Sequence, residues 1–251
     1  MGGLASTAPP RIDGNSVSCN LLVKDGYRDL GYISPVWNQY GQYGTLQPTA
    51  TGALEVELSY DSTSPERLDV WTTNGPDSDF PVFGAAMGFS TDGVNMNLGS
   101  INYAYIAGAP PTQPHSPAVP GPNSFTNKTG FDASVQGFIW QYDPATGALS
   151  PQWTNWDSST PQMHILYAEN ERTLCITGDP TTFNKAIGAS YSEVLFMLLL
   201  TILVSRTDTY RMNYYCMNTH LSIQYRGNEK YFLVVSPHAP SSSEAICLDN
   251  S

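Results

Sequence analysis

Hydrophobic and polar residues alternate with a period of two along much of this chain. The clearest stretch is residues 54–60, where Leu54, Val56 and Leu58 fall on one face and polar residues fall on the other. Residues 67–73 alternate in the same way. Side chains of a strand point alternately to its two faces, so this pattern is typical of a strand with one buried side. The pattern predicts two half-exposed β-strands.

Further strands are predicted from apolar or aromatic runs that end at Gly, Pro, Asn or Asp. These runs cover residues 17–23, 30–33, 80–89, 101–107, 163–168, 173–177 and 191–200. Residues 180–188 predict one short helix, because Pro180 suits the first helical position. Many short strands separated by turn residues indicate an all-β fold.

A β-hairpin is predicted within residues 137–155. An aromatic run that includes Trp140 and Tyr142 meets the turn Asp143-Pro144-Ala145-Thr146-Gly147, and a second apolar run returns from it. Pro fixes φ near the value a turn needs, Asp hydrogen-bonds the local backbone, and Gly accepts a positive φ. The order of these residues predicts a tight reversal between two paired strands.

Composition extends this prediction to the whole chain. Gly and Pro number 21 and 19 among 251 residues, and only 13% of residues are charged, about half of the usual ~25%. We therefore predict an antiparallel, sandwich-like β-domain over residues 17–200, with a flexible N-terminal arm at 1–16 and a long Pro-rich loop at 108–130.

Residues 201–251 differ from the rest of the chain. The net charge of −11 lies entirely in residues 1–200, whereas the last 51 residues carry four basic and four acidic side chains. Only Gly227, Pro237 and Pro240 represent Gly and Pro there. We interpret this segment as an atypical tail, either an alternative or misread terminus or an added hairpin that pairs 221–225 with 231–235.

The acidic composition limits which binding partners and which cellular compartment we expect. No Lys/Arg run is present, which argues against nucleic acid and anionic membranes as partners. The polar, lysine-poor composition favours an extracellular protein, although residues 1–10 do not form a signal peptide, and we expect the leader to be missing from this form of the chain.

Four cysteines allow two disulfides in three connectivities or buried free thiols: Cys19, Cys175, Cys216 and Cys247.

No known catalytic, cofactor or metal motif occurs in the sequence, so we predict neither a cofactor nor a metal site. The carboxylate pairs Glu55/Glu57 and Asp77/Asp79 are the candidates for glycoside hydrolysis, against a plain role as surface residues. Asn127 begins a glycosylation triplet. Two aromatic clusters with neighbouring amides could instead stack sugar rings or fill a core, and their candidate ligand-binding residues are Trp37, Tyr40, Tyr43, Trp153, Asn155, Trp156 and Asp157.

Six short segments carry a resemblance to uncharacterised secreted proteins of mushroom-forming fungi. They are Ser18-Cys19-Asn20-Leu21, Leu30-Gly31-Tyr32-Ile33-Ser34, Tyr43-Gly44-Thr45-Leu46-Gln47-Pro48, Gly84-Ala85-Ala86-Met87-Gly88-Phe89, Ile139-Trp140-Gln141-Tyr142-Asp143-Pro144 and Ile176-Thr177-Gly178-Asp179-Pro180. The resemblance covers about residues 15–198 and implies a secreted protein with a leader. It implies no activity and no site residue.

Three functions follow as hypotheses. The first is a non-enzymatic extracellular module that binds carbohydrate or cell-wall polysaccharide. The second is a structural or surface protein without a small ligand. The third is a glycan-acting hydrolase, for which a cleft would have to hold two carboxylates about 5–10 Å apart.

Overall fold

The computed structural model describes residues 18–61, 64–113, 115–143, 146–200, 215–216 and 219–220. The predicted arm at 1–16 and almost all of the predicted tail, including the hairpin proposed within it, lie outside the described residues. The strands are β1 Ser18–Asp25, β2 Arg28–Ile33, β3 Leu46–Gln47, β4 Glu55–Asp61, β5 Ser64–Thr72, β6 Val82–Met87, β7 Tyr103–Ala109, β8 Val119–Pro120, β9 Ser134–Gln136, β10 Trp140–Asp143, β11 Ala148–Pro151, β12 His164–Ala168, β13 Thr173–Thr177, β14 Ser192–Leu200, β15 Tyr215–Cys216 and β16 Thr219–His220. The helices are α1 Ser124–Thr129 and α2 Pro180–Ile187.

Strands β1 to β14 form one antiparallel sheet that closes into a barrel. The closing pairs are β1 with β14, in register from Cys19↔Leu200 to Lys24↔Leu195, and β5 with β6 at Trp71↔Val82. The closed ring runs β1, β4, β5, β6, β7, β13, β12 and β14. The predicted all-β class is confirmed, but the sandwich was wrong, because the sheet bonds to itself and does not split into two packed layers.

The predicted hairpin is formed by β10 and β11, which pair from Trp140↔Pro151 to Asp143↔Ala148. Gly147 has the predicted positive φ, at 75°, and its N–H donates to the Asp143 carbonyl at 2.8 Å, whereas Pro144 and Ala145 lie outside the described residues. The hairpin lies between two strands of the barrel: β10 pairs with β5, and β11 pairs with β14. Strands β1, β4, β5, β10, β11 and β14 therefore form a second, six-stranded closed ring.

Aromatic side chains fill the core where this hairpin meets the barrel. The rings of Phe83 and Trp140 stack with centroids 5.3 Å apart, and Phe196 lies 5.6 Å from Trp140. The Trp140 indole N–H donates to the Phe83 carbonyl. All three side chains are buried. Close packing of this kind makes their removal costly, at roughly 3–5 kcal/mol for a large aromatic.

The predicted helix near Pro180 is confirmed as α2, with Pro180 at the start and the Asp179 carboxylate accepting from the Thr182 N–H at 2.9 Å. The Pro-rich stretch 108–130 is not loop throughout, because it contains β8 and α1. Asn123 caps the start of α1, and Gly130 ends it with a φ of 73°. Phe125 of α1 is buried, so this stretch packs on the barrel.

No disulfide is seen within the part of the chain that the structure describes. Cys19 and Cys175 are buried, and Cys175 is a free thiol. Burial raises the pKa of the Cys175 thiol, and the Glu171 carboxylate adds to the effect. The side chain of Cys216 and the whole of Cys247 lie outside what is described. For Cys175, the alternative of a buried thiol is the one that the structure supports.

Candidate functional site

The two predicted aromatic clusters lie in different parts of the molecule. The loop 37–43 runs beside β7, where the Tyr43 N–H donates to the Ile106 carbonyl at 2.8 Å. The loop 152–163 instead contacts the connection between β6 and β7, because the Trp153 indole N–H donates to the Val94 carbonyl at 2.7 Å. That connection begins after Met87, toward the opposite end of β7. The clusters therefore do not form one site.

The first cluster is largely part of the core. Tyr43 is fully buried, with its ring 5.1 Å from Phe83 and 6.0 Å from Trp37. Trp37 is half-buried against the main core. Tyr40, which is 43% exposed, has the most exposed ring of this cluster. Tyr43 thus has no free face for a ligand.

Polar atoms within this first cluster are unusually isolated. Neither the Tyr43 hydroxyl nor the Trp37 indole N–H has a hydrogen-bond partner within the described part of the chain. Burial raises the pKa of Tyr43 to about 12, while the nearby Trp37 and Thr72 side chains oppose the shift without hydrogen bonds of normal geometry. The phenol therefore stays neutral over the physiological range.

Asn155 organises the second cluster. It is fully buried and lies at the junction of loop 152–163 with loop 88–102. Its side-chain Nδ2 donates to Asn97 Oδ1 at 2.8 Å and to Ser159 Oγ at 3.0 Å, and its Oδ1 accepts from the Met96 N–H at 2.8 Å. Both donors of the amide are used, and its oxygen is engaged. Asn155 fixes the two loops to each other and has no donor left for a ligand.

Trp153 and Thr154 attach the start of the same loop to the barrel. Trp153 is fully buried, so its ring forms no surface platform. Thr154 exchanges two hydrogen bonds with the Gln136 side chain, at 2.8 and 3.2 Å. The loop therefore leaves the barrel from a rigid base.

Trp156 stands at the exposed tip of this loop. It is 65% exposed, and its backbone N–H donates to Asn95 Oδ1 at 2.8 Å. The following turn is tight, because the Asn155 N–H donates to the Ser159 carbonyl at 2.9 Å and Ser158 has a left-handed φ of 66°. Ordinary residues rarely adopt that conformation, so the surrounding bonds must hold it. A large aromatic ring is thus presented to solvent on a fixed backbone.

The carboxylate beside this ring is also fixed. Asp157 Oδ1 accepts from the Ser159 N–H at 3.0 Å and from Ser159 Oγ at 2.6 Å. These bonds lower the pKa of Asp157, because they favour its charged form. We call the surface formed by Asn95, Asn97, Trp156 and Asp157 the Trp156 face. It combines one exposed ring with amide and carboxylate oxygens.

Loop 88–102 is equally ordered beneath this face. The Asn102 side chain donates to the carbonyls of Asp92 and Asn95, both at 2.8 Å, and accepts from the Asp92 N–H at 2.7 Å. The Gly99 N–H donates to Asp179 Oδ2 at 2.9 Å. Hydrogen bonds from the Thr182 N–H at the start of α2 and then from the Gly99 N–H lower the pKa of Asp179. This loop also exposes 88% of Leu98.

Sequence reasoning named Trp156 and Asp157 but missed the partner loop. Asn95 and Asn97 lie roughly 60 positions before the residues that they contact, so no local pattern joins them. A signal did exist: Asp92-Gly93-Val94-Asn95-Met96-Asn97-Leu98-Gly99 is rich in turn-forming amides between two predicted strands. Such a segment favours a structured loop.

The remaining candidates stay apart from this face. Asn127 is exposed on α1. Glu55 and Glu57 lie on β4, and Asp77 Oδ1 accepts from the Asp79 N–H at 2.9 Å in a local turn. Within the described ranges, no group of three or more His, Cys, Asp and Glu side chains is placed to hold a metal ion. No helix among these residues is long and apolar enough to cross a membrane.

Comparison with known proteins adds no relative to this picture. No protein-family model, no curated protein and no solved structure matches the chain. The resemblance to secreted fungal proteins therefore stays a prediction. The class that the fold defines is a closed antiparallel β-barrel with extra strands.

Proposed function

We propose that this protein is a non-catalytic extracellular module that binds carbohydrate through the Trp156 face. The observation that carries the proposal is the exposure of Trp156 on a loop fixed by the buried Asn155. Tryptophan combines a large apolar ring with a polar N–H, so it is favoured at interfaces where one part of the contact is apolar and another part is polar. A pyranose ring has that character.

The contacts on this face fit such a ligand. The apolar face of a sugar ring would lie on the Trp156 indole, while oxygens of Asp157 and Asn97 accept hydrogen bonds from hydroxyl groups. Binding sites commonly combine an apolar surface with a few fixed polar groups. Because the backbone of Trp156 is already held by Asn95, little ordering of the loop accompanies binding.

A shallow face with one ring predicts weak binding to a single sugar. Several copies of the protein on one polysaccharide, or repeated sites along one chain, raise the observed affinity through effective concentration. A polymer is therefore the natural ligand for this arrangement. A cell-wall polysaccharide meets that description.

The proposal is tested with the full chain against a panel of insoluble and immobilised polysaccharides. Trp156→Ala is compared with Tyr27→Ala, since Tyr27 is a fully exposed aromatic at the turn between β1 and β2. We expect Trp156→Ala to weaken binding by about tenfold or more, as removal of a central aromatic contact does. Tyr27→Ala should bind normally.

Trp156→Phe sharpens the experiment because it keeps an aromatic face while changing its size. Partial binding by this variant would support stacking. The proposal is overturned if no polysaccharide binds, or if Trp156→Ala binds as well as the unchanged protein. A structural or surface role without a small ligand would then be the better account.

A further inference from the structure

The charge around the Trp156 face is one-sided. Loop 88–102 and loop 152–163 contain the carboxylates Asp92 and Asp157 but no Lys or Arg. Within the described ranges, no cationic side chain pairs with Asp157, whereas Asp25 and Asp29 pair with Arg28 and Lys24. The residue that follows the exposed Trp156 thus carries a charge that no cationic side chain of the described residues pairs with.

The orientation of this carboxylate is set in advance. Ser159 donates to Asp157 Oδ1 from both its N–H and its hydroxyl, and the left-handed backbone at Ser158 holds the turn that makes this possible. No protein hydrogen bond to Oδ2 is found among the described residues. A ligand group that approaches the ring therefore meets an oriented negative charge beside an aromatic surface.

From this juxtaposition we propose that the Trp156 face selects glycans with free, protonated amino groups, such as chains of β-linked glucosamine. This inference rests on the proposed carbohydrate-binding function and names its ligand class. The ammonium group pairs with Asp157, and the indole face attracts cations as well as apolar C–H groups. The net charge of −11 assists the approach of a cationic chain and opposes sulfated or uronic-acid chains.

Neutral hydroxyl groups alone would leave Asp157 unneutralised, although they can still donate hydrogen bonds to it. The gain from an amine is modest at an exposed site, because water screens the pair. Repetition of the amine along a polymer multiplies the gain. Discrimination should accordingly grow with chain length.

The test compares two hexamers that differ only at nitrogen: β-linked glucosamine and its fully N-acetylated form. Binding is measured by calorimetry with the full chain at about pH 5.5, where amine and carboxylate are both charged. We expect the glucosamine hexamer to bind about threefold more tightly at low salt, and the difference to shrink as salt is added.

Asp157→Asn is the decisive variant, since its side-chain oxygen can still accept from Ser159 while the charge is gone. It should bind both hexamers equally and keep its dependence on Trp156. Glu55→Gln controls for net charge, because Glu55 is exposed on β4 away from this face, and it should retain the preference.

Equal binding of the two hexamers by the unchanged protein overturns the inference, as does a preference that survives in Asp157→Asn. In both cases binding that depends on Trp156 would leave the proposed function standing. If neither hexamer nor any polysaccharide binds, the proposed function and this inference fail together.

Discussion

Loops 37–43 and 152–163 have similar compositions but differ in whether their aromatic rings are buried or exposed. Each combines aromatic rings with amide side chains, yet Tyr43 is fully buried whereas Trp156 is 65% exposed. The difference arises from what each backbone pairs with. Gln42 bridges to Ala107 of β7, and this pairing draws the first loop into the core.

The second loop is attached by side chains and not by a strand. Asn155 bonds to loop 88–102 and closes a turn with Ser159, which directs the next residue outward. Aromatic content therefore does not decide whether the rings of a loop are exposed or packed. The partner of its backbone does.

The largest expected effect comes from the buried end of the exposed loop. Trp153→Ala removes a fully buried indole and its bond to the Val94 carbonyl, so the free energy of unfolding should fall by about 3–5 kcal/mol. Chemical denaturation measures the change. A loss below about 1 kcal/mol would show that Trp153 does not anchor the loop.

A smaller effect on the free energy of unfolding is expected from Asn155, which hydrogen-bonds loop 152–163 to loop 88–102. Asn155→Ala leaves the Met96 N–H and the Asn97 side chain without their partner, which should lower the free energy of unfolding by about 2 kcal/mol. Polysaccharide binding should weaken as well, because Trp156 loses its fixed base.

Asn74→Ala is the matched control for that variant. Its side chain also links two segments, donating to the Ala53 carbonyl at 2.9 Å and accepting from the Glu55 N–H at 2.8 Å, but it lies near the first cluster. It should reduce stability and leave binding unchanged. Equal loss of binding in both variants would contradict the role given to Asn155.

The isolated phenol of the first cluster predicts a pH effect of its own. The pKa of Tyr43 is raised from 10.0 to about 12 by burial, so the unfolded chain loses this proton first and stability falls as pH rises from 10 to 12. Tyr43→Phe removes that loss. The variant should gain about 1.4 kcal/mol relative to the unchanged protein between pH 8 and pH 11.

Urea denaturation of the two proteins at several pH values gives this difference directly. Other tyrosines that titrate in the same range are present in both proteins and cancel. Because the hydroxyl has no hydrogen-bond partner among the residues that the structure describes, Tyr43→Phe should cost little stability near pH 7. A difference that does not change with pH would show that Tyr43 does not titrate there.

The smallest effect on stability is expected where binding changes most. Trp156→Ala removes an exposed ring whose side chain makes no hydrogen bond within the described ranges, so the free energy of unfolding should change by less than about 0.5 kcal/mol. Thermal and chemical denaturation beside the binding assay provide the check. A large loss of stability would place Trp156 with the packed aromatics instead.

Local patterns predicted local structure well. The alternation around Leu54 gave a strand that begins at Glu55, and Val56 is buried while Glu55 is exposed. Turn chemistry located the reversal at Gly147, and Pro180 marked the start of α2. Each of these predictions depends on residues that are neighbours in sequence.

Closure of the barrel and the composition of the site could not be predicted in this way. The pair Cys19↔Leu200 joins the two ends of the described domain, and a strand that pairs on one edge or on both has the same alternation. The prediction of the site was incomplete for the same reason. The sequence indicated Trp156 as a candidate but not Asn95, which lies 61 positions earlier and accepts from the Trp156 N–H.

The hairpin formed by β10 and β11 has a consequence for how this protein could change. It adds a six-stranded ring beside the eight-stranded one and places the buried Trp140 against Phe83 and Phe196 in the core. A change of ligand specificity would therefore require changes in the surface loops that connect the strands. Loops 88–102 and 152–163 could be replaced together, provided that each new pair keeps an amide that hydrogen-bonds one loop to the other as Asn155 does.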